Sequence, residues 1–405
     1  MGPFIQINPS ATDWTYAPGS PLRSSGNSPV LTFHQALPEY AQTPLHSLDN
    51  VARELGLGHV LVKDESIRFG LPAFKILGAS WAVFRAVAGR LGLEATLDGP
   101  DRHSDSEQTL EQWLEEASSA PSISTSNLRI VTCTAGNWGR AVARMTSRLR
   151  KIVPRGATVF VPKSLDEATR RLIEGEGADV VVVQGEYDDC LAAAREEGKR
   201  DGSLLVFDVG FEGYEDVPQW VVEGYGTMLA EADDQVLATT GGKSATHAVI
   251  PVGAGSIAQA VTQHFKTLSR KQKYGQATVI GVEPTSAPAL LKSLEAGKIV
   301  TVSTKDSIMC GMNCGTISST AWPILRGGID ADLLVTDSEA HNAVAELHEL
   351  GVAAGPCGAA ALAALKRAVA TKREELGLTR DAIVLLLCTE GPREYEKPAN
   401  EAFSA

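Results

Sequence analysis

The stretch Lys63-Asp64-Glu65-Ser66-Ile67-Arg68-Phe69-Gly70-Leu71-Pro72-Ala73-Phe74-Lys75-Ile76-Leu77-Gly78-Ala79 decides the fold of this chain. It begins with the polar end of a strand, crosses a loop that contains glycine and proline, and ends in an apolar helix. Lys75 stands where loop and helix meet, between two apolar residues. Because an apolar setting disfavours the charged form of a lysine, we expect a lowered pKa and a nucleophilic amine. A lysine at a helix start whose stem covers the core would have the same neighbours.

A second motif joins a buried strand, residues 248–252, to an apolar helical start, residues 257–261. The turn between them is Gly253-Ala254-Gly255-Ser256. Small residues let backbone N–H groups converge on an anion, and the dipole of the following helix favours negative charge there. The motif predicts a phosphate site, with a plain strand-to-helix turn as the alternative.

The same residues also match a dinucleotide-binding fingerprint, Gly253-x-Gly255-x-x-Ala258. That fingerprint requires an acidic residue at the end of the next strand, where it binds a ribose hydroxyl. Glu283 ends the next predicted strand, although it comes late in the sequence. An oxidoreductase that uses a nicotinamide cofactor is therefore a distant alternative, and it leaves Lys75 without a role.

A third motif follows a short predicted strand at residues 129–132. A glycine-bearing turn follows this strand and leads into a helix, and it carries hydroxyl and amide side chains. Its residues include Thr134, Gly136 and Asn137. Such a turn suits a small anion such as a carboxylate. The alternative is an ordinary helix cap built from Thr134 and Asn137.

The three motifs, in this order, resemble the fold-type II enzymes that use pyridoxal phosphate, and among these the diaminopropionate ammonia-lyases. The resemblance spans about residues 40–395. Its motifs are Lys63-Asp64-Glu65-Ser66, Arg68-Phe69-Gly70-Leu71, Ala73-Phe74-Lys75, Gly136-Asn137, Gly139-Arg140, Phe207-Asp208, Glu212-Gly213-Tyr214, Val252-Gly253, Gly255, Gly311, Cys314-Gly315 and Thr389-Glu390-Gly391. It implies an α/β fold of two domains, each an open, largely parallel twisted sheet flanked by helices.

The resemblance implies which residues bind the cofactor, pyridoxal phosphate. Lys75 would bind it covalently, and Asn137 would bind the 3-oxygen of its ring. Cys388 or Thr389 would contact the pyridine nitrogen, and we expect Thr389. The phosphate would be held by Gly253, Ala254, Gly255 and Ser256.

The resemblance also implies the residues that surround the substrate, and these depart from the family. Thr134, Ala135, Gly136 and Trp138 would face the substrate. The family carries an aspartate where this chain has Ala135 and a histidine where it has Trp138. Since that aspartate would take a proton from D-isomers, we expect activity on L-isomers alone.

Asp208 follows a predicted strand and precedes an aromatic, glycine-rich loop. By the resemblance, a carboxylate at this position would lie near the substrate amine and assist proton transfer. The alternative is that Asp208 caps the loop of residues 210–214.

A further family pattern places a glutamate in a turn under the cofactor, whereas residues 355–359 of this chain carry no acid.

The expected function is that of a lyase. It would eliminate ammonia from L-2,3-diaminopropionate or a related β-substituted L-amino acid and give a 2-keto acid and ammonia, with Lys75 and Asp208 as catalytic residues. Alternatives with the same cofactor are β-replacement and dehydration of a hydroxy-amino acid. A relative that binds the cofactor without catalysis is a further alternative.

Composition restricts the partners. The 405 residues carry a net charge of −12, which disfavours nucleic acids and anionic membranes. No secretory signal or membrane-spanning run is visible, and six cysteines without such a signal favour the reducing cytoplasm.

Cys310 and Cys314 lack the further ligands that a metal site needs, so we expect no metal site. We expect a homodimer that acts on a small molecule.

Short valine- and isoleucine-rich strands alternate with helices, which is typical of largely parallel sheets. We predict residues 1–68 as an arm and the first part of a large domain, 69–190 as a nested small domain, and 191–405 as the rest of the large domain. Residues 98–127 and 233–246 are predicted to be surface insertions. Strands are predicted near residues 60–62, 129–132, 158–161, 180–183, 204–207, 248–252, 278–282 and 383–387.

Overall fold

The computed structural model describes residues 4–17, 28–93, 110–119, 127–134 and 136–398. These residues form two sheets flanked by helices, which confirms the predicted α/β fold. The strands are β1 (Ile5–Ile7), β2 (Leu45–Ser47), β3 (His59–Asp64), β4 (Arg129–Cys133), β5 (Ala157–Pro162), β6 (Ala178–Val183), β7 (Ser203–Leu205), β8 (His247–Pro251), β9 (Thr278–Pro284), β10 (Ala331–Val335) and β11 (Ile383–Cys388).

Helices cover the faces of both sheets, and within the described residues none is long and apolar enough to cross a membrane. The helices are α1 (Pro29–Gln35), α2 (Asp49–Leu55), α3 (Lys75–Arg90), α4 (Leu110–Ser119), α5 (Asn137–Arg148), α6 (Glu167–Gly175), α7 (Tyr187–Gly198), α8 (Asp216–Gly224), α9 (Gly226–Thr239), α10 (Ser256–Phe265), α11 (Leu268–Tyr274), α12 (Ala289–Ala296), α13 (Trp322–Gly328), α14 (Asp337–Glu349) and α15 (Pro356–Thr371).

The larger sheet has the order β1-β10-β9-β8-β11-β3-β2. Its strands are parallel except β1 and β2, which pair antiparallel at the two edges. The central strand β11 is buried along its whole length, as expected for a strand of Ile, Val and Leu that is covered on both faces. All eight strands predicted from the sequence are present. The short edge strands β1 and β2, and β10, were not predicted.

The smaller sheet has the order β6-β5-β4-β7, and its strands are all parallel. Strand β7 pairs with β4, so this sheet extends to Leu205, beyond the boundary predicted at residue 190. Helix α3 packs against α5, which follows β4, and against α8, which follows β7. Helix α3 therefore connects the smaller sheet to the part of the chain that comes after β7.

The two predicted insertions differ in outcome. Residues 233–239 are the last turns of α9, and Asp233 pairs with His264 at 2.9 Å and Arg270 at 2.5 Å, so a surface insertion there is wrong. The segment 98–127 lies mostly outside the described residues. Within it, Trp113 of α4 is buried in the core against Phe84, with ring centroids 4.6 Å apart.

A buried ionic network anchors the loop between β3 and α3. The Arg68 guanidinium lies between Glu65 and Glu231, with its Nη2 atom 2.5 Å from Glu65 Oε1 and 2.7 Å from Glu231 Oε2. Lys63 Nζ lies 2.8 Å from Glu231 Oε2, and Thr43 Oγ1 donates to Glu65. All five side chains are buried. The charged residues of the first sequence motif therefore brace the loop against α9.

We predict that Arg68→Met lowers the free energy of unfolding by about 3–5 kcal/mol, because Glu65 and Glu231 would remain buried without their shared cation. Urea unfolding followed by circular dichroism measures the loss. The control is Arg171→Met, whose pair with Glu167 is exposed and contributes about 1 kcal/mol or less. Equal losses in the two variants would contradict the role given to the network.

A second buried group consists of two carboxyls on neighbouring strands. Glu283 of β9 accepts hydrogen bonds from the backbone N–H groups of Leu290 at 2.8 Å and Leu291 at 2.9 Å. Asp332 of β10 lies beside it, fully buried. Burial raises the pKa of Glu283 to about 7. Burial and the negative charge of Glu283 raise the pKa of Asp332 well above its ordinary value.

These carboxyls bind protons more tightly in the folded chain than in the unfolded one. Their contribution to stability therefore falls as the pH rises from the ordinary carboxyl range, about 4, through the raised pKa of Glu283. We predict that Asp332→Asn reduces the loss of stability between pH 6 and pH 8, measured as the shift of the urea midpoint. Asp306→Asn, at an exposed position, should keep the wild-type loss. An unchanged loss in Asp332→Asn would refute the prediction.

Candidate active site

The loop after β3 delivers Lys75 to the cleft between the two sheets. It turns at Phe69 and Gly70, whose φ angles of 51° and 70° lie in the left-handed region. Helix α3 begins at Lys75 itself. Lys75 Nζ donates to Asp208 Oδ2 at 2.5 Å, and the two side chains are 25% and 13% exposed. The ring of Trp138 lies 5.7 Å from the same nitrogen.

The charge state of Lys75 differs from the sequence expectation. Burial is the largest single effect on the pKa of Lys75 and lowers it, but the charge and hydrogen bond of Asp208, together with Tyr225 and Cys314, raise it by more. The net pKa is raised, so the predicted lowering is wrong for the chain alone. The sequence showed the apolar neighbours of Lys75 but not the distant carboxylate that faces it.

Asp208 lies just after β7, where the smaller sheet meets the cleft. Its carboxylate bonds to Lys75. The loop that follows has other partners, since the N–H of Gly210 donates to Ser318 Oγ at 2.8 Å and that of Gly213 to Glu215 at 3.0 Å. The geometry therefore directs Asp208 towards the lysine rather than towards the loop.

The glycine turn between β8 and α10 leaves the helix N-terminus open to the cleft. Gly255 has a φ of 103°, and a Cβ atom there would lie 3.0 Å from the Cβ of Ala321. A Cβ atom on Gly253 would lie 3.0 Å from the carbonyl oxygen of Gly311. The φ angle of Gly255 thus favours glycine there, and a side chain at position 253 would press on the backbone of Gly311. The first N–H groups of a helix have no partner within it, so this turn can bind an anion.

The third motif leads from β4 into α5, which begins at Asn137. Thr134 Oγ1 accepts a hydrogen bond from the N–H of Gly136 at 2.9 Å, so it braces the turn. The indole N–H of Trp138 donates to Thr132 Oγ1 at 2.9 Å. With its N–H engaged in this way, Trp138 presents the face of its ring to the cleft. Ala135, predicted to line the substrate site, lies outside the described residues.

The end of β11 lies beside the start of α3. The carbonyl oxygen of Thr389 accepts from the N–H of Phe74 at 3.3 Å. Cys388 is buried, and its thiol donates to the carbonyl oxygen of Glu390 at 3.5 Å. Of the two candidates for the pyridine nitrogen, Thr389 is thus held beside the residue that precedes Lys75.

Glu390 supplies an acid that sequence reasoning missed. Its Oε1 accepts from the N–H of Cys357 at 3.1 Å, in the first turn of α15, where residues 355–359 carry no acid of their own. Burial raises the pKa of Glu390. The motif Thr389-Glu390-Gly391 was the available signal, but the sequence could not show that its carboxyl reaches this turn.

Two tyrosines also face the site without a sequence signal. Tyr187 begins α7, and its hydroxyl bonds to Cys133. Burial raises the pKa of Tyr187, as do the nearby Cys133, Asp208 and Cys314. Tyr225, between α8 and α9, is fully buried beside Lys75. Among the described residues no three His, Cys, Asp or Glu side chains are arranged to hold a metal ion.

Comparison with known proteins identifies the family of this site. Residues 36–389 match the family described as pyridoxal-phosphate dependent enzyme. The chain belongs to this family. Its cofactor is pyridoxal phosphate, as expected from the three motifs.

Diaminopropionate ammonia-lyases are among the most similar members. The chain is 34% identical to that of Salmonella typhimurium over 307 residues, which cover 73% of this chain and 69% of the relative. It is 30% identical to that of Escherichia coli K12 over 389 residues, which cover 93% and 91%. A crystal structure of the Escherichia coli diaminopropionate ammonia lyase in complex with D-serine superposes with a TM-score of 0.78 at 29% identity, covering 96% of this chain and 93% of that one.

The residues of the site fit the family's cofactor. A primary amine for the aldehyde is present at Lys75, and the turn of residues 253–256 at the start of α10 suits a phosphate dianion. The side-chain amide of Asn137 has no hydrogen-bond partner among the described residues, so it is available to the ring oxygen. The donors therefore match the three polar ends of pyridoxal phosphate.

The contacts of Glu283 argue against the alternative of a nicotinamide cofactor. A ribose hydroxyl would need its carboxylate, but Glu283 is 1% exposed and already accepts the N–H groups of Leu290 and Leu291. The match of residues 253–258 to the dinucleotide fingerprint therefore reflects the shared need for glycine at an anion-binding helix start.

Proposed function

We propose that this chain is an ammonia-lyase that acts on L-2,3-diaminopropionate or a close β-substituted L-amino acid, with a 2-keto acid and ammonia as products. The 2.5 Å contact between Lys75 Nζ and Asp208 Oδ2 carries the proposal, because it places an amine and a carboxylate within proton-transfer distance of each other in the cleft beside the anion-binding turn. The names of the Salmonella typhimurium and Escherichia coli relatives support it.

Lys75 and Asp208 have separate roles in proton transfer. Bound pyridoxal phosphate supplies an electron sink for the negative charge that develops at Cα. Lys75 Nζ takes the proton when the Cα–H bond breaks. When the Cβ–N bond breaks, Asp208 protonates the departing amine, and the short contact with Lys75 lets the proton return to the carboxylate. The released enamine then hydrolyses to the keto acid and a second ammonia.

The remaining side chains bind and orient. Asn137 would hold the ring oxygen of the cofactor and Thr389, rather than Cys388, its pyridine nitrogen. Thr134, Ala135 and Gly136 would bind the substrate carboxylate, with Trp138 closing one side. The phosphate would be held by Gly253, Ala254, Gly255 and Ser256.

We also propose that the enzyme acts as a homodimer in the cytoplasm. Among the described residues no two cysteines are joined by a disulfide, which suits a reducing compartment. Leu172, Val181 and Val182 expose apolar surface at the edge of the smaller sheet, which suits a contact between subunits.

We predict that the protein releases ammonia and keto acid from L-2,3-diaminopropionate and not from the D-isomer, because Ala135 leaves no carboxylate for the opposite face of Cα. Coupled assays of keto acid and ammonia with each isomer measure this. The Escherichia coli relative, by contrast, has been crystallised with D-serine. Ala135→Asp should add D-activity. Equal turnover of both isomers by the unaltered protein would contradict the role of Ala135. Turnover of a hydroxy-amino acid instead, or turnover only with an added nucleophile, would favour the dehydration or the replacement alternative.

We predict that Asp208→Asn lowers kcat by about 10²–10⁴-fold while KM changes little, since the carboxylate transfers a proton in the transition state. The loss of its charge should also lower the pKa of Lys75 and shift the pH profile. Glu212→Gln, an exposed change in the same loop, is the control. Full activity of Asp208→Asn would return this residue to a structural role.

A further inference from the structure

Tyr225 is held rigidly beside the start of α3. It lies between α8 and α9 and has no exposed surface. Its ring centroid is 4.9 Å from that of Phe74, and a Cβ atom on Gly78 would lie 2.7 Å from its Cε1 atom. The ring therefore cannot turn away, and the position of its hydroxyl is fixed.

The hydroxyl of Tyr225 makes no hydrogen bond of good geometry among the described residues. Burial, the largest effect, and the negative charge of Asp208 raise the pKa of Tyr225, whereas the charge of Lys75 and the approach of Ser256 within hydrogen-bonding reach lower it by less. The hydroxyl is thus protonated at neutral pH and available as a donor. Because a buried donor without a well-placed acceptor destabilises the fold, an acceptor supplied by a bound ligand would stabilise it.

Ser256 places the hydroxyl at the anion-binding turn. It is the first residue of α10, a helix of ten residues, and follows Gly255, which adopts the left-handed conformation. Backbone N–H groups at such a helix start provide donors for an anion. A fixed tyrosine O–H next to that turn would add a side-chain donor to the same site.

We propose that the Tyr225 hydroxyl donates a hydrogen bond to the phosphate of the cofactor in the turn of residues 253–256. The proposal rests on the proposed function, which puts the cofactor phosphate there. Because the same ring packs on Phe74 and Gly78, phosphate binding would also stabilise the start of the helix that carries Lys75. Tyr225 is then a cofactor-binding residue that couples the phosphate site to the lysine.

The test compares wild type and Tyr225→Phe after removal of the cofactor. Dissociation constants are measured for pyridoxal phosphate and pyridoxal by absorbance, and for inorganic phosphate by calorimetry. We expect the variant to bind pyridoxal phosphate and inorganic phosphate about 10- to 100-fold more weakly, the range for a hydrogen bond to a charged group. Pyridoxal, which lacks the phosphate, should bind both proteins equally.

A matched control and a stability measurement accompany the test. Tyr395→Phe removes a hydroxyl that bonds to His341 at 2.9 Å, away from the site, and should leave all three constants unchanged. Without cofactor, Tyr225→Phe should unfold at the same or a higher urea concentration than wild type, because the lost hydroxyl makes no hydrogen bond of good geometry there. This also shows that the variant folds.

Three results would overturn the proposal. Unchanged binding of pyridoxal phosphate and inorganic phosphate would show that the hydroxyl does not touch the anion. Weaker binding of pyridoxal, to the same degree as pyridoxal phosphate, would assign the hydroxyl to Lys75 instead. Failure of the wild type to bind pyridoxal phosphate at all would remove the proposed function itself, and is thus distinguishable from the failure of Tyr225 alone.

Discussion

The pairing of Arg68 with two buried carboxylates is the constraint on which the site depends. Glu65 comes from the same loop, whereas Glu231 comes from α9, so the guanidinium ties the loop to a distant helix. A buried cation tolerates little displacement from its partners, because each lost contact leaves a charge without compensation. This network fixes the left-handed turn at Phe69 and Gly70, and through it the point at which α3 begins with Lys75.

The cleft gathers its groups from the ends of parallel strands in both sheets. The larger sheet contributes the turn after β8 and the end of β11, and the smaller sheet contributes Asp208 after β7 and the turn after β4. Ligands in open α/β sheets bind outside the carboxyl ends of the strands. The site lies at the carboxyl ends of strands from both sheets, and Lys75 lies where these two sets of strand ends meet.

Much of this could be predicted because the key motifs are local. Lys75, Asn137 and the turn of residues 253–256 each lie within one strand–turn–helix unit, whose residues are adjacent in the sequence. The prediction failed where contacts join distant segments. The raised pKa of Lys75 depends on Asp208, and the acid at the turn of residues 355–359 comes from Glu390.

The most direct measurement is borohydride reduction of the purified protein, followed by mass spectrometry of its peptides. Reduction fixes a covalently bound cofactor on the amine that holds it. The account predicts a phosphopyridoxyl group on the peptide that contains Lys75, and no such group in Lys75→Ala. A reduced adduct on another lysine, or one that persists in Lys75→Ala, would contradict the central claim that the loop braced by Arg68 positions the reactive amine.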